Sequence, residues 1–271
     1  MRKFNKLAAL LAACCIAALL GGCTYESGPR EFAATNFNKT PQAPPEGLDE
    51  SPREWLETAL EKGRTDPEAQ KFWYKGHVKN MILSRSVTSM FNGAVINGKG
   101  YNVDARIAAQ PYQYYRIDDK HFIRANDYWV TARDEPLAFD VLAGFEDWLP
   151  FMDQAVQLED DKVYGTETAV FQLKMTGADW LAQSQSPLFE PLRQLLAERP
   201  ELTYILDKST IKTTFWIGRE DRLIHQYETW IILPLPKAGT IDQQVLFQLY
   251  KYDDPGIEIK DPEEVEKYLL Y

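Results

Sequence analysis

Three histidines, three cysteines and several adjacent carboxylates are the side chains of this 271-residue chain with the most reactive chemistry. His77, His121 and His225 stand far apart, no two at metal-ligand spacing, and neither H-E-x-x-H nor G-x-S-x-G occurs. Asp118-Asp119, Asp160-Asp161 and Asp253-Asp254 are the kind of pair that acid/base work or calcium would need. Each sits among turn residues, however, and neighbours on a turn do not converge on one point. Cys14 and Cys15 fall within an apolar run and Cys23 directly follows it, so no thiol remains beyond residue 23 for a disulfide, a metal or a nucleophile. These residues predict no enzyme, no metal site, no cofactor and a fold without covalent staples.

The chemistry of Cys23 lies in what precedes it. Arg2, Lys3 and Lys6 make a basic start, Leu7 to Leu20 is uncharged and apolar, and Leu20-Gly21-Gly22-Cys23 closes the run with small residues. The run is shorter than the roughly 20 residues that span a ~30 Å hydrocarbon core, so residues 1–22 read as a signal segment and not as an anchor. Leu20-Gly21-Gly22-Cys23 resembles the processing site of bacterial lipoproteins. That resemblance implies cleavage before Cys23, acylation of Cys23, and a protein held by lipid on the extracytoplasmic side of a bacterial membrane. Loss of residues 1–22 takes away Arg2, Lys3 and Lys6 and leaves the remainder three charges more negative than the −10 of the whole sequence. So acidic a surface repels phosphate backbones and anionic headgroups, which excludes nucleic acid as a partner and leaves the lipid as the membrane contact.

Residues 23–50 read as the acylated start and a flexible tether. Pro29, Pro41, Pro44 and Pro45 interrupt a stretch without apolar period, and as a coil it reaches on the order of 30 Å. Order is expected from Ser51, where Ser51-Pro52-Arg53-Glu54 has the form of a capping box and Gly63 could end the helix. A second helical start at Asp66-Pro67-Glu68 runs into Phe72-Trp73-Tyr74, with helix and strand both open there. From Arg85 to Val130 the chain reads as a strand meander: Asn97-Gly98-Lys99-Gly100 is hairpin chemistry, and Tyr101, Val103, Ala105 and Ile107 alternate with polar neighbours. Pro136 to Leu149 suggests helical turns. Val156–Glu159 and Thr168–Met175 suggest a strand pair turned by Asp160-Asp161-Lys162 and Gly165. Ser186-Pro187 opens a helix carrying Leu188, Leu192, Leu195 and Leu196. Three late strands follow, around Ile211–Ile217, Leu223–Leu233 and Val245–Leu249, the second broken at Leu233-Pro234. Residues 51–271 therefore form one domain of the α+β class, built on a long antiparallel sheet with helical insertions.

Tyr112-Gln113-Tyr114-Tyr115-Arg116 leading into Asn126-Asp127-Tyr128-Trp129, Val163-Tyr164-Gly165 before an alternating strand, and the Phe215-Trp216-Ile217 hairpin, all behind the Cys23 motif, resemble bacterial lipoproteins of the LolA/LppX-like superfamily. That resemblance implies a long curved antiparallel sheet, a half-barrel, wrapped around helices and enclosing a hydrophobic cavity. It carries over no catalytic or binding motif. LolA carriers themselves are soluble shuttles, whereas this chain would be tethered. With 7 Trp, 14 Tyr and 13 Phe, the core or a cleft in it must be aromatic. Phe215, Ile217, Leu223, Tyr227, Ile231, Phe247 and Leu249 occupy alternate positions of the late strands and form one apolar face if those strands are neighbours, with Leu192 and Leu196 on the helix that would cover it. A gap between the two surfaces makes them a site for a lipid, an acyl chain or another hydrophobic ligand; tight packing makes them core. The same cup could instead hold a protein partner in the cell envelope, of unknown identity. Replacing Cys23 by Ala should leave an unacylated precursor with residues 1–22 attached, as read by mass spectrometry of the native N-terminus; a mature chain that starts elsewhere would defeat the anchor.

Overall fold

The computed structural model describes residues 50–82, 85–107, 109–125, 128–132, 141, 145–183, 197–198, 200, 203–235, 239–260 and 265–266. The first helix, α1 (Pro52–Thr65), starts as its sequence dictates. The Ser51 hydroxyl accepts from the Glu54 N–H, the Glu54 carboxylate accepts from the Ser51 N–H at 2.7 Å, and Pro52 takes the first helical position. It runs through Gly63 to Thr65 and stops where the Asp66 N–H donates to the Lys62 carbonyl, so the glycine is not the terminator. Asp66 caps a single 3-10 turn, Pro67–Ala69, and a strand follows at once. This is β1 (Lys71–Ile82): Phe72 and Tyr74 are buried and Trp73 between them is only half-buried, the period of two that a strand imposes.

The meander continues through β2 (Arg85–Ile96), β3 (Gly100–Ile107), β4 (Gln110–Ile117), β5 (Lys120–Ala125) and β6 (Tyr128–Ala132), each antiparallel to the one before. Gly98, at φ 72°, supplies the left-handed residue of the β2–β3 turn. A 3-10 helix, Phe145–Gln154, then opens a second meander: β7 (Val156–Val163), β8 (Thr166–Met175), β9 (Thr210–Gly218), β10 (Ile224–Leu235) and β11 (Gly239–Tyr250), with α2 (Gly177–Gln183) and α3 (Thr203–Lys208) between β8 and β9. The β7–β8 turn is Tyr164-Gly165, so Asp160-Asp161-Lys162 lie inside β7 and not at its end. They occupy a register irregularity there, where both Asp160 carboxylate oxygens accept from Arg219. Pro234 does not break β10, which continues to Leu235 paired with β11. Pairing of β10 with β9 ends at Ile232↔Thr210, so Pro234 stands where β10 has lost that neighbour and a missing donor costs little. The helix expected from Ser186-Pro187 falls almost wholly outside the described residues, as do positions 136–140 and 142–144.

The two meanders join through β1 and β11, antiparallel from Trp73↔Tyr250 to Ile82↔Ile241. The resulting order is β12-β6-β5-β4-β3-β2-β1-β11-β10-β9-β8-β7, with β12 (Val265–Glu266) parallel to β6 and every other pair antiparallel. The two ends of this sheet do not pair with each other, so it is an open half-barrel of the α+β class. Its inner face carries one continuous core. Tyr74, Phe91, Val103 and Tyr114 come to it from the first meander, Phe171, Phe215 and Phe247 from the second, Trp55 and Leu56 from α1, and Phe151 and Met152 from the 3-10 helix. Burial of each such side chain contributes about 1.5–3 kcal/mol. The segment after β11 crosses the outer face, where Asp254 accepts from the Trp73 indole at 3.0 Å and Ile259 is buried in a cluster with Ile117 and Phe122.

One local departure shapes the sheet. The β2–β3 ladder lapses between its pairs Asn92↔Asp104 and Val95↔Tyr101. Side chains take over there: the Tyr74 hydroxyl donates to the Asn102 carbonyl at 2.7 Å, and the Ala94 N–H donates to Asn102 Oδ1 at 2.6 Å. Gly93 makes room for this, since a Cβ on it would lie 2.0 Å from the Asn102 carbonyl oxygen and 2.5 Å from the Tyr74 hydroxyl. Gly93→Ala should therefore cost ~1–3 kcal/mol by overpacking. A lowered urea midpoint at unchanged slope is the expected reading.

Candidate ligand-binding site

Strands β9, β10 and β11 are neighbours, so the alternating apolar residues of the late strands do meet on one surface. Tyr227 lies between Phe215 and Phe247 across the ladder, and its ring stacks on Phe247 with centroids 5.5 Å apart. Phe145 of the 3-10 helix meets Tyr227 edge-on at 4.7 Å and Phe215 at 5.8 Å. Trp55 of α1 adds a tilted contact to Phe171 at 5.6 Å. Phe215, Ile217 and Leu249 are wholly buried in this packing and Phe247 nearly so, which makes this end of the face closed.

Leu223 is placed differently. A register shift between Ile224 and Gln226 puts Ile224 in the inner cluster, while Leu223 is buried just before the strand begins, its N–H donating to Asp221 Oδ1 at 3.0 Å. Burial alone would raise the Asp221 carboxyl, but the hydrogen bond with His225, its charge, the Leu223 N–H and Lys62 hold it below the usual carboxylate value. Leu192 and Leu196 lie outside the described residues.

Farther along the strands the packing loosens. Val78 opposite Val245, with Ile231 farther on, are only half-buried although they adjoin the same core. Tyr112, Ile123 and Trp148 are half-buried neighbours of that core as well. Burial pushes the Tyr112 hydroxyl up to about 12, so it remains a neutral donor at any physiological pH. Beyond Val78 and Val245 the next inward pair is polar: Gln243 Nε2 donates to Asn80 Oδ1 at 2.8 Å, both residues buried. The inner face thus grades from an aromatic closed end, through a half-open aliphatic strip, to a buried amide pair. Tyr227, Ile231 and Phe247 border the strip, and the residues that sequence reasoning missed, Val78, Asn80 and Gln243, complete it from β1 and β11. The signal for β1 existed in the alternation of Phe72, Tyr74, Val78 and Asn80, but the helical start at Asp66-Pro67 obscured it.

The histidines are spread among separate partners. His225 Nε2 bonds Asp221 at 2.8 Å, and His121 Nδ1 bonds the Tyr114 hydroxyl at 2.5 Å. His77 is held below its usual value by burial and by Lys79. Among the described residues no group of three or more His, Cys, Asp or Glu side chains is placed to hold a metal, and no helix is long and apolar enough to cross a membrane. The grading of the inner face has an energetic consequence. Phe215→Ala should cost ~3–5 kcal/mol of stability, and Ile231→Ala distinctly less because part of that side chain already meets solvent. Denaturant titration of the two variants compares them.

No protein-family model matches the chain, and no curated protein matches it. Among solved structures it is similar to the lipoprotein LppX of Mycobacterium tuberculosis, at 9% identity and a TM-score of 0.44 over 77% of this chain and 98% of that one. It is similar also to LprF from Mycobacterium bovis, at 11% identity and a TM-score of 0.42 over 78% and 96% of the two chains. The Pseudomonas aeruginosa MucA/MucB complex matches at 12% identity and a TM-score of 0.33, over 73% of this chain and 56% of that chain.

Proposed function

We propose that this protein is a membrane-tethered extracytoplasmic lipoprotein that binds a lipid, an acyl chain or another hydrophobic ligand in the open half of its half-barrel, and that it is not an enzyme. The carrying observation is the half-buried Val78–Val245 pair between the aromatic closed end and the Asn80–Gln243 pair, with half-buried Ile231 beside Gln243 in the amide row. Apolar side chains that adjoin a core without completing it leave contact area for an apolar guest. The grading suits an amphipathic ligand, with its chain over Val78 and Val245 and its head end between Ile231 and the amides, which can both donate and accept. Acylation of Cys23, with residues 23–50 as tether, supports holding such a guest close to a membrane surface. The complete burial of Phe215, Ile217 and Leu249 supports a guest beside these residues and not among them.

Titration of a fluorescent fatty acid into a delipidated chain starting near residue 48 tests this. Saturable binding is expected from the parent. Ile231→Asp and Val245→Asp should each weaken it about tenfold or more, because a carboxylate on the strip loses its hydration when the guest covers it. Absence of saturable binding by the parent would leave the cup to the alternative reading, a protein partner in the cell envelope.

A further inference from the structure

The outer face of β11 and β1 to β4 carries a concavity of about 350 Å³, on the side of the sheet opposite the strip. Register explains why it is there. Tyr250, Trp73, Ala94, Asn102 and Tyr115 follow one another across five strands, so large rings flank two small or committed side chains. Ala94 has no bulk, and Asn102 is turned back onto the Ala94 N–H where the ladder lapses. A hollow is left between Trp73 and Tyr115, with Gly93 and Val103 also in its lining. The adjoining cross-strand row is Lys75, Asn92, Asp104 and Gln113. Its walls are held in place: Trp73 donates to Asp254 at 3.0 Å, Tyr115 meets Trp129 edge-on at 4.8 Å, and Gln113 accepts from Arg124 at 3.0 Å.

The lining selects among ligand classes. An acyl chain would meet carboxylate and amide groups along its length, since the Val103 side chain belongs to the inner core on the other face. An anion would face Asp104. A cation would want the face of Tyr250, but Lys75 already lies 5.7 Å over that ring. A metal ion would find one carboxylate, Asp104, in the lining. What fits is a neutral molecule with flat C–H faces for the rings and many hydroxyls for the polar row. Asp104 and Asn92 make no side-chain hydrogen bond with other described residues, so both are free to take hydroxyls, the acid as acceptor and the amide as donor and acceptor. We propose that this outer pocket is a saccharide-binding site, with a sugar ring against Trp73 or Tyr115 and its hydroxyls on Asn92, Asp104 and Gln113. The volume lies at the small end for ligand sites, which suits a short saccharide or the end of a longer one.

The test uses the full chain in phospholipid nanodiscs, titrated by calorimetry and tryptophan fluorescence with chitotriose and, separately, maltotriose, against empty nanodiscs. Saturable binding of one or both is expected, with Kd of about 0.1–1 mM. Asp104→Ala and Trp73→Ala should each weaken it about tenfold or more, and Ile231→Asp on the opposite face should leave it unchanged. Asp104 is exposed and outside the core, so its variant keeps the fold and reads the site alone. No saturable response to either sugar up to ~10 mM, or binding that survives both outer-face substitutions, overturns the proposal.

Discussion

The ring of Phe247 lies on the bare backbone of Gly76, and the architecture depends on that contact. Gly76 and Phe247 are register partners of β1 and β11, and a Cβ on the glycine would fall 2.2 Å from the ring. Seated there, Phe247 reaches Phe91 at 6.1 Å and Tyr74 at 6.4 Å in the first meander and Tyr227 at 5.5 Å in the second. Each meander alone has one apolar face and nothing to bury it on. The β1–β11 seam makes the two faces continuous, and the continuous face is long enough to curl around α1 and the 3-10 helix. The same ring marks where the closed end stops, since the next inward pair, Val78 and Val245, is aliphatic and half-buried.

What could be read in the chain was what local chemistry determines. The Ser51 capping box, the Gly98 turn and the alternation through Tyr101 to Ile107 all reappear, because a cap, a left-handed turn residue and a period of two act over a few residues. The helical start at Asp66-Pro67 gave way after one turn because Phe72 and Tyr74 gain more by facing the core from a strand. Asp160-Asp161 looks like a turn by composition, yet β8 and Arg219 hold it in a strand. The shift at Ile224 is invisible in sequence, since an uninterrupted alternation from Leu223 to Leu233 reads the same with or without a bulge.

The two faces differed in legibility for a related reason. Alternation brought Phe215, Tyr227 and Phe247 together on paper once three strands were taken as neighbours. The outer hollow draws Trp73, Asp104 and Tyr115 from strands whose mutual register depends on turn lengths and on a lapse in one ladder. No periodicity within one strand can signal a space made by what its neighbours lack. Ala94 and Asn102 are unremarkable residues until Trp73 and Tyr115 stand on either side of them.

The seam also determines when this chain can finish folding. The strands from β1 to β6 are close in sequence and can pair locally, but the free side of β1 must wait for a partner that begins at Gly239. Closing so long a loop is slow, and topologies dominated by such distant pairs fold slowly. Until it closes, β1 is an unpaired edge with aromatic residues beside an uncovered glycine, the kind of surface that recruits strands from other chains. A chain cut short before Gly239 would keep that edge for good, so loss of β11 would turn a self-contained cup into a template for aggregation.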